Sequence, residues 1–235
     1  MTKTAYITGG SKGIGLGIAQ AMVAEGMNVA ITGRDAQALK TAAAELAKAG
    51  TGEVLAITSD VRNLASEQQA IQQVLDKWGR LDVVIANAGV GKFASIEDLT
   101  AEDWQATIDI NLTGVFHTVK ASIPALKDSQ GYIITIASLA GTNFFKQGSA
   151  YNASKFGLVG FSQAIMLDLR QYGIKVTTIM PGSVATHFND HTPSEKDAWK
   201  IQPEDIGELV LDLLKMNPRT LPSKVEVRPT TPPGN

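Results

Sequence analysis

Seven short runs of apolar and β-branched residues punctuate this chain: TAYIT (4–8), NVAIT (28–32), VLAIT (54–58), DVVIA (82–86), YIITIA (132–137), KVTTIM (175–180) and, more weakly, KVEV (224–227). Between them lie segments with a 3.6-residue apolar period and good helix formers, as at 15–26, 35–50 and 64–79, the last two closing on Gly. Near-continuous apolar strands are buried on both faces, and each intervening helix is a crossover that covers one of them. Right-handed crossovers then predict an α/β fold: a single-domain, Rossmann-type doubly wound parallel sheet of seven strands with helices on both faces. No linker-like stretch divides residues 1–235. Thr100, followed by Asp103, forms a capping-box pattern opening one helix to about Lys127. Further helices are expected over 149–172 and 203–216, and the tail PTTPPGN (229–235) reads as flexible.

Bulk chemistry narrows the function classes. Formal net charge is −2, and Lys and Arg are scattered, so no footprint for nucleic acid or an anionic membrane is expected. The absence of cysteine removes disulfides, thiolate catalysis and cysteine–metal sites, and favours a cytoplasmic location. No run reaches the ~20 apolar residues of a membrane-spanning helix, and the N-terminus enters a strand pattern without a secretory signal. His187 and His191 have helical i, i+4 spacing but no accompanying Glu. They read as part of a polar surface loop, not a metal site.

In a doubly wound sheet, ligands bind beyond the carboxyl ends of the strands. Six strands are followed by turn-forming or polar residues: TGGSKGIG (8–15), GRD (33–35), SDV (59–61), NAG (87–89), Ser138 and PGSVAT (181–186). Gly9, Gly13 and Gly15 permit positive φ, close approach of main chain to a pyrophosphate and tight helix–sheet packing; a glycine-rich turn without ligand is the alternative. The second strand ends without an acid to accept from the adenosine ribose. Arg34 stands there instead, with Lys12 as a second cation, which predicts the 2′-phosphate of NADP(H); Asp35 reads as the next helix N-cap.

In YNASK (151–155), Tyr151 and Lys155 lie four apart and would share one helix face, either as a stacked surface pair or as a phenol made proton-mobile by a cation. An unperturbed tyrosine pKa near ~10 suits neutral acid–base work poorly. Lowering it by about 3 units would represent roughly 4 kcal/mol, a large demand on one lysine that needs a partly dry site beside a positive nicotinamide ring. Ser138 can supply a second hydrogen bond to a carbonyl oxygen, whereas Ser154 is expected to bond back to the preceding helical turn.

Together these motifs resemble the short-chain dehydrogenase/reductase family from about Thr4 to Pro229: T-G-x-x-x-G-x-G (8–15), N-A-G (87–89), Asn111 in INLTGVF, Ser138, Y-x-x-x-K (151–155) and P-G (181–182). The resemblance implies an NADPH-dependent carbonyl reductase in which Tyr151 is the general acid. Lys155 lowers its pKa and binds the nicotinamide ribose, Ser138 polarises the substrate oxygen and Asn111 holds a water. It implies cofactor contacts from Gly9, Ser11, Lys12, Gly13, Ile14, Gly15 and Arg34. Asp60 and Val61 would meet the adenine, Asn87, Ala88 and Gly89 the centre, and Pro181, Gly182, Val184 and Thr186 the nicotinamide. Phe93, Phe144, Phe145 and Phe188 are candidates for an aromatic substrate wall. A short lid (about 185–202) would leave the pocket open to bulky ketones. A homotetramer or homodimer through helices 100–127 and 149–171 is implied as well. Alternatives are a 3-oxoacyl-thioester reductase, an NADP-linked alcohol or sugar dehydrogenase, or a non-catalytic NADP(H)-sensing regulator.

Overall fold

All seven expected strands form, within a residue or so of their predicted ends, in a computed structural model that describes residues 2–232. They are β1 (Thr4–Thr8), β2 (Asn28–Gly33), β3 (Val54–Thr58), β4 (Val83–Ala86), β5 (Tyr132–Ile136), β6 (Lys175–Pro181) and β7 (Lys224–Val227). Every pairing is parallel and the order is β3-β2-β1-β4-β5-β6-β7. The chain leaves β1 towards one edge and returns at β4 to build the other, so a crevice opens between the carboxyl ends of β1 and β4.

The period-2 alternation of the strands divides their side chains between two cores. Ala5, Ile7, Val29, Ile31, Val83 and Ile85 face α1 (Gly13–Ala24), α2 (Ala36–Leu46) and α7 (Pro203–Lys215), where Ile18, Met22, Leu39, Leu46 and Val210 meet them. Tyr6, Ala30, Ile57, Val84, Ile133 and Val176 face the opposite way, onto α3 (Leu64–Trp78), α5 (Gly114–Ser129) and α6 (Ser149–Leu169). The largest of these side chains are shut off from solvent, each fully buried aliphatic contributing about 1.5–3 kcal/mol.

Two helix boundaries and one capping pattern differ from expectation for local reasons. The helix from Thr100 does not run unbroken: α4 (Ala101–Ile108) passes into a π-helical turn (Asp109–Thr113) before α5. One widened turn of this kind re-aims a side chain, here the buried Asn111. Thr100 accepts from the Asp103 N–H, but the Asp103 carboxylate pairs with Lys92 at 3.7 Å, and only that half of the capping box is found. α2 stops at Leu46, short of Gly50, because the chain turns back to lay the Gly52 N–H on the Val23 carbonyl. The N-cap role of Asp35 is borne out, its carboxylate accepting from the Ala38 N–H at 2.9 Å. Of the expected flexible tail, residues 233–235 lie outside the described residues.

Candidate active site

A cavity of about 870 Å³ runs along the carboxyl rim and is lined from all six predicted strand ends. At its head, Gly9 and Gly13 adopt φ of 65° and 57°, a backbone open to glycine with little strain. Gly15 sits behind them. A Cβ there would lie 2.5 Å from the Gly9 carbonyl oxygen, so this glycine serves close packing and does not itself line the cavity. Ser11, Lys12, Gly13 and Ile14 do line it.

The turn after β4 clamps the glycine turn. The Asn87 amide donates to the carbonyls of Thr8 (2.8 Å) and Gly9 (3.1 Å), while the Asn87 and Ala88 N–H groups both donate to the Thr8 hydroxyl. Thr8 closes β1, and its bracing part was not legible beforehand, since a threonine in a buried strand reads as packing. Asn87, Ala88 and Gly89 then form part of the cavity wall.

Arg34, Asp60 and Val61 line the end beyond β2 and β3. The Arg62 guanidinium, hydrogen-bonded to Asp60, holds that carboxyl below its usual range. Lys12 and Arg34 are exposed, and among the described residues neither is committed to an ion pair. Asp35 is occupied by its capping bond.

At the opposite end Ser138, Tyr151 and Lys155 come together on the cavity wall. Ser138 has extended backbone and caps a short 3₁₀ turn, and α6 carries the other two one turn apart. In the chain alone, burial dominates the electrostatics here. Burial pushes the Tyr151 phenol up to about 12, with the Ser138 hydroxyl pulling against it. Burial also drives the Lys155 ammonium down to about 8. Its Nζ donates to the Ile136 carbonyl at 3.0 Å and lies 5.7 Å from the Tyr151 ring centroid, so desolvation outweighs any help from the cation. Ser154 donates to the Tyr151 carbonyl at 2.7 Å, the local bond expected of it.

Asn111 lies behind the wall. Its side chain accepts from the Val90 N–H (2.8 Å) and donates to the Val90 carbonyl (2.9 Å) and the Ser154 hydroxyl (3.1 Å). Asn152, unnoticed inside YNASK, donates to the carbonyls of Ala140 (2.8 Å) and Asn143 (2.7 Å), pinning the loop after Ser138 to α6.

Pro181, Gly182, Val184 and Thr186 complete this end. The lid that follows is tied at its base: Ala185 N–H donates to Ile201 and Ile201 N–H to Ser183. Within it, Asp197 accepts from Lys200 (2.6 Å), the Ser194 N–H (2.9 Å) and His191 (2.8 Å), which hold its carboxyl far below the usual range. His187 and His191 are exposed on this segment, a polar surface loop as expected, and both also line the cavity.

Three of the four predicted phenylalanines gather around the tyrosine. Ring centroids of Phe93, Phe188 and Phe145 lie 5.4, 5.6 and 6.5 Å from that of Tyr151. Phe144 is 84% exposed and takes no part, because the pinned loop turns it outward. Gly91 makes the gathering possible, since a Cβ there would meet Phe188 at 2.5 Å and Phe93 at 3.0 Å.

Comparison with known proteins agrees with this layout. The family profile described as short chain dehydrogenase matches residues 3–197. D-beta-hydroxybutyrate dehydrogenase of Cupriavidus necator is 41% identical over 187 residues, covering 78% of this chain and 71% of its own. The 3-oxoacyl-[acyl-carrier-protein] reductase of Synechocystis sp. is 37% identical over 213 residues, covering 87% and 86%. Among solved structures, an alcohol dehydrogenase from the archaeon Thermococcus sibiricus complexed with 5-hydroxy-NADP superposes with a TM-score of 0.93 at 30% identity, over 100% of both chains. With the sheet order, the rim and the matched sequence all in accord, this chain belongs to the short-chain dehydrogenase family of oxidoreductases.

Proposed function

We propose that this protein is an NADPH-dependent carbonyl reductase that converts a ketone to a secondary alcohol. The observation that carries the reading is one continuous cavity with two uncommitted cations at one end and the Ser138–Tyr151–Lys155 group at the other. The residues fit a dinucleotide. The glycine turn offers main-chain N–H groups at the opening of α1, where anions are favoured, and Lys155 is a buried cation with no carboxylate partner among the described residues. Lys12 and Arg34 would hold a 2′-phosphate; Lys155 would hold the nicotinamide ribose hydroxyls.

Bound NADPH would supply the hydride. Ser138 donates a hydrogen bond to the carbonyl oxygen, and Tyr151 delivers the proton as negative charge develops there. The phenol is protonated at neutral pH, the form that reduction requires of a proton donor. The Phe93, Phe145 and Phe188 collar fits a ketone bearing a flat apolar group. A second reading is reduction of a 3-oxoacyl thioester, favoured by the likeness to the Synechocystis sp. 3-oxoacyl-[acyl-carrier-protein] reductase. The apolar surface left by Phe116, Phe156 and Leu167 on α5 and α6 supports pairing with further copies of the chain.

The test is Tyr151→Phe, assayed by NADPH absorbance against a ketone panel that includes aryl ketones and an acetoacetyl thioester. Turnover should fall by about 10³ or more, while NADPH affinity stays within about twofold. Retained turnover would remove Tyr151 from the chemistry.

A further inference from the structure

Glu67 on α3 is fully buried, and among the described residues no basic side chain pairs with it. Its partners are three hydroxyls: Ser59 at 2.6 Å, Thr118 at 2.7 Å and Tyr6 at 3.1 Å. A carboxylate in such a place is costly unless every lone pair is used, and for packing alone a leucine would serve. What the bonds secure is the loop after β3. Ser59 also donates its N–H to Gly33, the residue before Arg34. Ser66, adjacent to Glu67, accepts from the Asp60 N–H at 3.2 Å. His117, adjacent to Thr118 on α5, holds the Val61 carbonyl at 2.9 Å. Each residue of the loop is therefore held by at least one bond to a neighbouring element, Ser59 by three, and all three line the cavity beside Arg34.

All three hydroxyls donate to the Glu67 carboxyl group, so the Ser59 side chain points inward to α3. Burial, and next the charge of Glu67, hold the Tyr6 phenol well above its usual value, which keeps it a donor.

We propose that Glu67 is a positioning residue for the adenosine half of the cofactor, setting the shape of the 59–61 loop that receives it. The proposal rests on the dinucleotide reading above and goes beyond it in assigning a role to a residue that touches no ligand. Its test is Glu67→Leu, with NADPH affinity measured by fluorescence titration. Turnover at saturating concentration is measured with NADPH and with reduced nicotinamide mononucleotide, which lacks the adenosine half. The NADPH Kd should rise about tenfold or more while the mononucleotide-supported rate stays within about twofold. Glu67→Gln should restore affinity: its amide oxygen still accepts from Ser59 and Tyr6, and Thr118 can donate to the Gly114 carbonyl at 3.0 Å.

Should Glu67→Leu fail to fold, Ser59→Ala removes the shortest of the three bonds and must show the same split. Unchanged NADPH affinity in a folded variant, or both rates falling together, overturns the positioning role. A wild-type chain that binds neither NADPH nor NADH rejects the dinucleotide reading, and this role with it. Wild-type binding beside an unaffected Glu67→Leu rejects the positioning role alone.

Discussion

Consider replacing Lys155 by methionine, which keeps side-chain length and removes the charge. The ammonium is buried, and its fall from the ordinary 10.5 to about 8 corresponds to roughly 3 kcal/mol spent on keeping it charged at neutral pH. Against that, the Ile136 carbonyl loses its donor, a penalty of about 1–3 kcal/mol. The variant should thus be as stable as wild type at pH 7, or up to about 2 kcal/mol more so, although it no longer turns over. The pH dependence is the sharper test. Because the folded value lies below the unfolded one, the unfolded chain binds more protons between about pH 8 and 10.5, and this group raises wild-type stability as pH climbs through that window. Methionine has no such slope. Urea unfolding followed by tryptophan fluorescence should show the variant losing about 2 kcal/mol relative to wild type between pH 7 and 9.5. A stability difference that does not move with pH would refute the assignment of a strained, desolvated lysine.

Two further substitutions probe the ends of the cavity. Arg34→Ala should raise the KM for NADPH by about 10- to 100-fold, the loss of charge-assisted bonds worth about 1.5–3 kcal/mol, and leave the KM for NADH nearly unchanged; steady-state kinetics with both donors decide it. Gly91→Ala places a methyl group 2.5 Å from Phe188 and should lift that ring off Tyr151. The KM for aryl ketones should rise by about three- to tenfold with NADPH affinity intact, whereas an unchanged KM would mean that Phe188 does not shape the pocket.

Much of this architecture was legible in the sequence because strands buried on both faces leave little choice of residue. TAYIT or YIITIA is apolar wherever it is cut, and the helices between announce themselves by period. The rim was legible for a related reason, since glycines, NAG and PG are turn residues that must end strands. Bonds between distant parts of the chain were harder to read. Nothing in LASEQQ says that Glu67 turns inward towards Tyr6, 61 residues away in sequence. Asn152 resembles any polar helix residue until the loop it anchors is in view. The π-turn at 109–113 has no periodic signature, because it inserts a single residue into otherwise regular helix. The proton affinity of Tyr151 was hard to read for a different reason. Spacing predicts proximity, but the depth at which the pair is buried sets the sign.

The lid has its own mechanical consequence. Its base is stitched between Ala185 and Ile201, Phe188 N–H is fastened to the Thr186 hydroxyl, and His191, Ser194 and Lys200 all converge on Asp197. A strap cross-linked so densely over so few residues does not swing like a door; it behaves as a fixed awning with the Phe188 ring at its cavity edge. Ring reorientation takes picoseconds to nanoseconds, against nanoseconds to microseconds for loop travel. If substrate and product pass by the turning of that ring alone, both steps are quick, and the slow event of each catalytic cycle lies elsewhere.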